Sequence, residues 1–271
     1  MPRTLRWVIG DIHGMLKPLR TLISAVEAHD PEAVFYFVGD YVNRGPDSRG
    51  VIDLLLNLPD DRAKMIRGNH DDIFDLILNG KSFAAGNEPV PVFAWFMAHG
   101  LGNTLMSYGI DEADIEHVQR KPSPNRLKEL VEGVPDRHRI FFRHLPLMIE
   151  EKDIFVVHAK WRGEDSDSNP DIAAPVAQSS RLKHRTLWER FSDEEISRNK
   201  SWHRRGFFGH TPVINYSLSR QNPGRPVVTD KQVLLDTGVA LSTEGRLTAY
   251  CVESDQYVQT DHYGGLVPPD A

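Results

Sequence analysis

The sequence predicts an α/β fold in which parallel strands alternate with helices over the first eighty residues. Short apolar runs each end at a glycine turn, and apolar residues at helical spacing follow each turn. Strand–helix–strand units of about thirty residues imply parallel pairing through right-handed crossovers. Strand-like runs return after residue 145, so a second set of strands is expected there.

The elements of the first part are predicted in order along the chain. A buried strand at 5–9 ends at Gly10, and apolar residues then recur every three or four positions up to Val26. The apolar helix at 51–58 is stopped by Pro59. The strands of this part are predicted at 5–9, 33–38 and 63–66, and the helices at 16–26, 51–58 and 72–78.

The pattern changes between residues 80 and 135, where Gly, Pro and Asn separate aromatic-rich helical pieces. We interpret 80–135 as a helical insertion or cap within one domain that spans 1–271. Its aromatic run 93–96 is expected in the core, although any exposed ring would suit a nucleobase or a peptide. Further strands are predicted at 147–150, 154–157, 206–209, 233–236, 247–252 and 257–260, followed by a flexible tail at 264–271.

Composition excludes several classes of protein. The single cysteine, Cys251, allows neither an internal disulfide nor a thiolate metal site. The net charge of −6 and the lack of a block of Lys or Arg argue against a nucleic-acid partner. No apolar run is long enough to span a bilayer or to serve as an export signal, so we expect a cytoplasmic protein without a membrane partner. The oligomeric state is not indicated by the sequence.

Potential metal ligands follow each of the first three predicted strands. The turns read GDIHG at 10–14, GDYVNRG at 39–45 and RGNHD at 67–71. Any one Gly-Asp turn is as well explained by a helix cap, but parallel strands bring all three turns to the same sheet edge, where ligands bind. Oxygen and imidazole donors without a thiolate suit Mn, Fe, Zn or Mg. The candidate ligands are Asp11, His13, Asp40, Asn69 and His70, with His158 and His210 from the second half.

These turns resemble the GDxHG, GDxxDRG and GNH[ED] signatures of the phosphoprotein phosphatase (PPP) branch of calcineurin-like metallophosphoesterases. The VHA segment at 157–159 and the FGHTP segment at 208–212 resemble the later histidine segments of that branch. LWER at 187–190 and LDTG at 235–238 are most similar to small bacterial and bacteriophage serine/threonine protein phosphatases. The resemblance implies a four-layer α/β/β/α sandwich with two facing mixed sheets and a dimetal centre at the strand ends.

The resemblance also implies roles for individual residues. Arg44 and Arg190 would clamp the phosphoryl oxygens, and His70 would protonate the leaving group. The cofactors would be two divalent ions, manganese first, with iron, zinc or magnesium as alternatives. The implied reaction is in-line attack of a metal-bridging hydroxide on a phosphorylated protein, peptide or small molecule. The implied metal ligands are Asp11 and His13 on the first ion, Asp40 between the ions, and Asn69, His158 and His210 on the second.

The sequence departs from this pattern at three positions. Asn43 replaces the usual aspartate that pairs with the general-acid histidine; we expect its carbonyl to accept from the His70 ring and the pH profile to shift to acid. Asp71 replaces the usual glutamate, and Lys160, which replaces a glycine, is expected to be solvated. Asn43 and Asp71 favour the alternative of a dinucleoside polyphosphate hydrolase, such as one acting on diadenosine tetraphosphate. A catalytically silent phospho-binding scaffold is the alternative of another class.

Overall fold

The computed structural model describes residues 4–80, 88–161 and 180–268. The predicted strands all occur, with bounds that differ by one or two residues from the sequence pattern. The strands are β1 Arg6–Ile9, β2 Val34–Phe37, β3 Ala63–Met65, β4 Met148–Glu150, β5 Ile154–Val157, β6 Arg205–Phe208, β7 Val227–Val228, β8 Gln232–Leu234, β9 Arg246–Cys251, β10 Tyr257–Asp261 and β11 Leu266–Val267.

Ten α-helices lie within the described ranges, together with two short 3₁₀ turns at Val213–Asn215 and Ser217–Ser219. The helices are α1 Leu16–His29, α2 Ser48–Leu56, α3 Asn69–Asn79, α4 Pro89–Met97, α5 Leu101–Ser107, α6 Glu112–Arg120, α7 Pro124–Leu130, α8 Asp136–His144, α9 Ser180–Trp188 and α10 Asp193–Ser197. None of the described helices combines the length and the apolar character needed to cross a membrane.

The strands form two mixed sheets. The first has the order β11-β10-β9-β1-β2-β3, and the second has the order β4-β5-β6-β8-β7. β1 pairs with β2 and β2 with β3 in parallel, as the glycine-turn pattern predicts. In the second sheet, β6 is parallel to both β5 and β8. The carboxyl ends of these parallel strands carry the candidate ligands.

The central strands β1, β2 and β5 bury both of their faces, which is why they are apolar almost throughout. On β1, Val8 points into a cluster between the two sheets, where it is joined by Val156 of β5 and Phe207 of β6. Its neighbour Ile9 lies instead in the cluster that contains Leu22 of α1. A third cluster covers the outer face of the second sheet. The layers are therefore helix, sheet, sheet and helix, and the predicted four-layer α/β/β/α sandwich is confirmed.

Two parts of the chain differ from the sequence prediction. Residues 264–271 were expected as a flexible tail, but Leu266–Val267 pairs with β10 as a sixth strand of the first sheet. The Asp261 side chain accepts from the N–H groups of Tyr263 and Gly265, which turns the chain back onto β10. Residues 269–271 lie outside the described ranges. Helices α8, α9 and α10 were not predicted, because their polar residues obscure the apolar period.

Candidate metal centre

The structure brings the candidate ligands of both halves to one place at the strand ends. Asp11 and Asp40 follow β1 and β2 within three residues, while Asn69 begins α3. His158 follows β5 directly, and His210 lies two residues after β6. Except for the half-buried His210, these side chains and those of His13 and His70 are buried. Residues more than 140 positions apart in sequence are hydrogen-bonded here, as His210 Nδ1 and Asn69 Oδ1 are at 2.9 Å.

The backbone of the site is strained. Six described residues other than glycine have positive φ angles, and all but Asp255 belong to this site. Such conformations cost about 1–3 kcal/mol each and persist where the surrounding structure enforces them. The turns after β1, β2 and β6 are thus shaped to aim side chains rather than to minimise local energy. The five residues are His13, Asp40, Asn43, Arg44 and His210.

Asp40 lies at the centre of the cluster. Its Oδ1 accepts the His70 backbone N–H at 2.9 Å and lies 3.4 Å from His158 Nε2. Its Oδ2 lies 3.5 Å from His13 Nε2. Two groups of three donors have their ligand atoms within 4.8 Å of one another, and both groups include Asp40. These groups are His13, Asp40 and His70, and Asp11, Asp40 and His158.

Three histidines are oriented by the backbone. His13 Nδ1 lies 3.0 Å from the carbonyl of Val42, and His158 Nδ1 lies 2.8 Å from that of Val38. His210 Nε2 lies 3.1 Å from the carbonyl of Trp188. A carbonyl can only accept, so each of these ring nitrogens carries a hydrogen. The opposite nitrogen of each ring faces the cluster, which is the arrangement usual for metal-binding histidines.

The buried carboxylates of the site favour the binding of a cation. Burial opposes the charged form of His158, but Asp40 and Asp11 raise its pKa to about 9. Burial also opposes ionisation of Asp40, yet His158 and His70 hold the pKa of its carboxyl well below the usual range. Burial lowers the pKa of His13 to about 3, so this ring is neutral and offers a lone pair. When no metal ion is bound, the proton on His158 compensates the negative charge of the buried Asp40 carboxylate.

The residues present fit a pair of divalent ions. All donors are carboxylate or amide oxygens and imidazole nitrogens, which suit hard and borderline cations. Asp236, a further buried carboxyl, has its Oδ2 without a hydrogen-bond partner in the described part of the chain. Its charge is the largest one raising the pKa of Asp11, after the effect of burial. Carboxylates are not packed so closely in an apolar interior without compensating positive charge.

The side chain of Asn43 is turned the opposite way from the expected one. Its amide nitrogen Nδ2, not its carbonyl oxygen, lies 2.8 Å from His70 Nδ1. Thr104 of α5 completes this arrangement, since its hydroxyl donates to Asn43 Oδ1 at 3.0 Å and accepts the Asn43 backbone N–H at 2.8 Å. Ser48 Oγ lies 2.8 Å from the same hydroxyl, and all four residues are buried. Since an amide nitrogen only donates, His70 Nδ1 is an acceptor, and the ring hydrogen is on Nε2.

The two predicted phosphate-binding arginines flank the cluster. Arg44 is half-buried and Arg190 is exposed. After burial, the charge of Arg44 is the largest influence lowering the pKa of His13, and Arg190 contributes to lowering that of His210. Within residues 4–80, 88–161 and 180–268, neither guanidinium forms an ion pair with a carboxylate. In the described part of the chain, an anionic substrate would therefore displace no carboxylate from either guanidinium.

Lys160 was expected to be solvated, and this is wrong. The residue is 3% exposed, and its Nζ lies 2.7 Å from Glu195 Oε1. The same ammonium donates to the carbonyl of Arg190 at 3.0 Å. The sequence did not reveal this role, because Glu195 lies 35 positions away on α10. Lys160 thus ties the segment that carries Arg190 to the end of β5.

Asp71 also has a structural role that its sequence position did not disclose. Its Oδ2 accepts the backbone N–H groups of Asp40 at 2.8 Å and Gly68 at 2.9 Å, and its Oδ1 accepts that of Tyr41 at 2.9 Å. The carboxyl thereby joins the turn after β2 to the turn after β3. Gly68 is required beside it, because an added Cβ would lie 2.1 Å from Asp40 Oδ1.

Comparison with known proteins decides the family. The profile of the calcineurin-like phosphoesterases matches residues 6–187. The chain belongs to this family. Among solved structures, a proposed diadenosine tetraphosphatase aligns over 97% of this chain and 95% of its own, with a TM-score of 0.56 and 18% identity. A serine/threonine phosphatase from Saccharomyces cerevisiae aligns over 92% and 73%, with a TM-score of 0.53 and 15% identity. At these identities, the two structures support the shared calcineurin-like fold alone.

Curated relatives match this calcineurin-like chain only in part. The symmetrical bis(5'-nucleosyl)-tetraphosphatase of Legionella pneumophila (strain Corby) is 38% identical over 76 residues, which cover 28% of this chain and 27% of that protein. The match thus spans about a quarter of the relative. Family membership agrees with a divalent dimetal centre built on the His and Asp groups described above.

Proposed function

We propose that this protein is a metal-dependent phosphohydrolase whose substrates are dinucleoside polyphosphates such as diadenosine tetraphosphate. The reaction would be attack of water on phosphorus, with cleavage of a phosphoanhydride bond and departure of a nucleotide phosphate. Two divalent ions held by the cluster around Asp40 would supply an activated water and neutralise phosphoryl oxygens. The proposed ligands remain Asp11, His13, Asp40, Asn69, His158 and His210.

The residues around the ions would position the substrate. The charge of Arg44 acts on His13 and that of Arg190 on His210, and the planar guanidinium groups of both would suit the oxygens of a phosphoryl group. Lys160 would keep Arg190 in place, because its ammonium group donates to the backbone carbonyl of Arg190. The ring centroids of His70 and His13 are 4.7 Å apart. From this position, His70 would direct its Nε2–H at the departing oxygen.

The orientation of Asn43 carries the choice of substrate. Because Nδ2 occupies the hydrogen-bonding position at His70 Nδ1, this ring is neutral and offers a hydrogen bond from Nε2. Losing that proton entirely would leave an imidazolate, so His70 in this state stabilises a leaving oxygen without protonating it. A departing phosphate, with a pKa near 6, needs no more than that. A serine alkoxide is far more basic and needs a full proton, which a charged partner at position 43 would help His70 to supply.

The sequence similarity supports the same choice. The curated relatives are named symmetrical bis(5'-nucleosyl)-tetraphosphatases, and their matched segments are 36% to 47% identical to this chain. These matches span less than a third of either protein, so they support the proposal without deciding the substrate.

A serine/threonine protein phosphatase is the second candidate. The LWER segment that ends at Arg190 favours it, because small bacterial and bacteriophage protein phosphatases carry a similar segment. The experiment that separates the candidates measures kcat/KM with Mn²⁺ for diadenosine tetraphosphate and for a phosphoserine peptide. We expect the dinucleotide to be preferred by at least about tenfold. Preference for the phosphopeptide would reject the proposal.

The scaffold alternative has its own outcome in this experiment. A silent scaffold would hydrolyse neither substrate, nor p-nitrophenyl phosphate, at any Mn²⁺ concentration. Asp40→Asn would then behave as the wild-type protein does. Turnover that depends on both Mn²⁺ and Asp40 excludes the scaffold.

A further inference from the structure

An exposed group of aromatic rings lies beside the metal-ligand cluster. Trp95 of α4 is 51% exposed, although its neighbours Phe93 and Phe96 are buried at 0% and 1%. Its ring centroid lies 4.3 Å from that of His99 and 6.0 Å from that of Trp188 at the end of α9. We call Trp95, His99 and Trp188 the aromatic patch. Half of a tryptophan left in water on an otherwise buried aromatic run indicates a binding surface more than a core.

Hydrogen bonds to the backbone hold part of the patch in place. The ring nitrogen Nδ1 of His99 lies 3.0 Å from the carbonyl of Trp95, which fixes the histidine against the indole. Trp188 contacts the rest of the site through its carbonyl, which accepts from His210. Rigid aromatic surfaces bind planar ligands at low entropic cost.

The patch is also close to the reacting centre. Two ring-to-ring steps of 5.0 Å each lead from Trp95 through Phe96 to His70. Gly100 follows the patch and packs on the turn of Arg44, where an added Cβ would lie 2.4 Å from the Arg44 backbone nitrogen. On the other side, Arg190 is two residues beyond Trp188. An anionic group between the two arginines would therefore have its attached substituent within reach of the patch.

Resting on the function proposed above, we propose that the aromatic patch binds one nucleobase of the substrate by stacking on the exposed face of Trp95. A purine presents a flat π face of the size of an indole, and stacking on aromatic side chains tolerates differences between bases. The phosphate chain would run from the stacked nucleoside past the two arginines to the cluster. The patch would thus determine specificity for nucleotides over base-free polyphosphates.

The test compares substrates with and without a base. With Mn²⁺ present, steady-state kinetics are measured for diadenosine tetraphosphate and for inorganic tetraphosphate, using wild-type protein, Trp95→Ala and Trp95→Leu. Leucine keeps apolar area but has no π face. We expect both variants to raise the KM for the dinucleotide about tenfold, with kcat within about twofold, and to show no comparable rise for tetraphosphate. Trp95→Phe should recover part of the loss. Tyr263→Ala, which removes another exposed aromatic ring, is the matched control.

Calorimetric binding of ADP and of pyrophosphate gives a readout that needs no turnover. Trp95→Ala should weaken ADP about tenfold more than it weakens pyrophosphate. Equal weakening of both ligands, an unchanged KM for the dinucleotide, or an effect confined to a phosphoserine peptide would overturn the proposal. If wild-type protein does not hydrolyse diadenosine tetraphosphate at all, the proposed function fails, and the ADP and pyrophosphate affinities then judge the patch by themselves.

Discussion

Replacing Asn43 by aspartate tests the argument on the leaving group. The substitution keeps the shape of the side chain and exchanges the amide nitrogen, 2.8 Å from His70 Nδ1, for a carboxylate oxygen. That oxygen accepts an Nδ1–H and stabilises the charged ring, so His70 becomes able to donate a full proton from Nε2. Substrates with a poor leaving group should benefit, whereas an anhydride should not.

The size of the effect follows from the geometry. A carboxylate and an imidazolium about 4 Å apart attract each other by about 4 kcal/mol at an effective dielectric constant of about 20. Burying a further carboxylate at position 43, which is 0% exposed, takes back part of this energy. The net result is a higher pKa of the His70 ring, because an opposite charge at this distance favours the charged form. We therefore expect the ratio of kcat/KM for a phosphoserine peptide to that for diadenosine tetraphosphate to rise about 10–100-fold.

The assay measures both substrates on wild-type protein and on Asn43→Asp under identical Mn²⁺ concentrations. Asn57→Asp is the matched control, because it adds the same charge at an exposed helix end away from the cluster. An unchanged substrate ratio in Asn43→Asp would refute the reasoning, and so would an equal gain on both substrates.

Three further perturbations act on single contacts. Thr104→Val removes a fully buried hydroxyl and leaves two polar atoms of Asn43 without this partner. Calorimetry should therefore show a loss of about 2–4 kcal/mol in the free energy of unfolding. Thr104→Ser, which keeps the hydroxyl, should show a smaller loss. Gly68→Ala places a methyl 2.1 Å from the shared carboxylate and should abolish Mn²⁺ binding in titration calorimetry, whereas Gly133→Ala, with open space around it, should bind normally. Lys160→Met should raise KM about threefold to tenfold with little change in kcat, because the carbonyl of Arg190 loses its hydrogen bond from the ammonium group. An altered kcat with constant KM would contradict this prediction.

Much of the fold could be predicted from local pattern. Continuous apolar runs predicted β1 and β2, because a strand buried on both faces is apolar throughout. The glycine turns that follow β1, β2 and β3 predicted their parallel order. β11 could not be predicted, since two residues are too few to show a period. Helix α10 has a single apolar residue, Ile196, so its sequence signal is the capping box of Ser192 and Glu195 and not a hydrophobic period.

The sequence was sufficient to predict which residues form the site, but not their hydrogen bonds or their burial. The turn motifs identified the buried metal-ligand residues, because parallel strands end at a common sheet edge and ligands bind beyond that edge. The hydrogen bonds of Asn43 include Thr104, which lies on a helix 61 positions away and belongs to no motif. The burial of Lys160 likewise depends on a distant partner, and the exposure of Trp95 depends on how α4 packs.

The central claim is that Asp40 is shared by two cations. The most direct measurement is the number of Mn²⁺ ions bound per chain, by titration calorimetry with parallel metal analysis, for wild-type protein and Asp40→Asn. The account predicts two ions for the wild type and at most one, weakly held, for the variant. A single ion in the wild type, or two ions still tightly bound in Asp40→Asn, would contradict it.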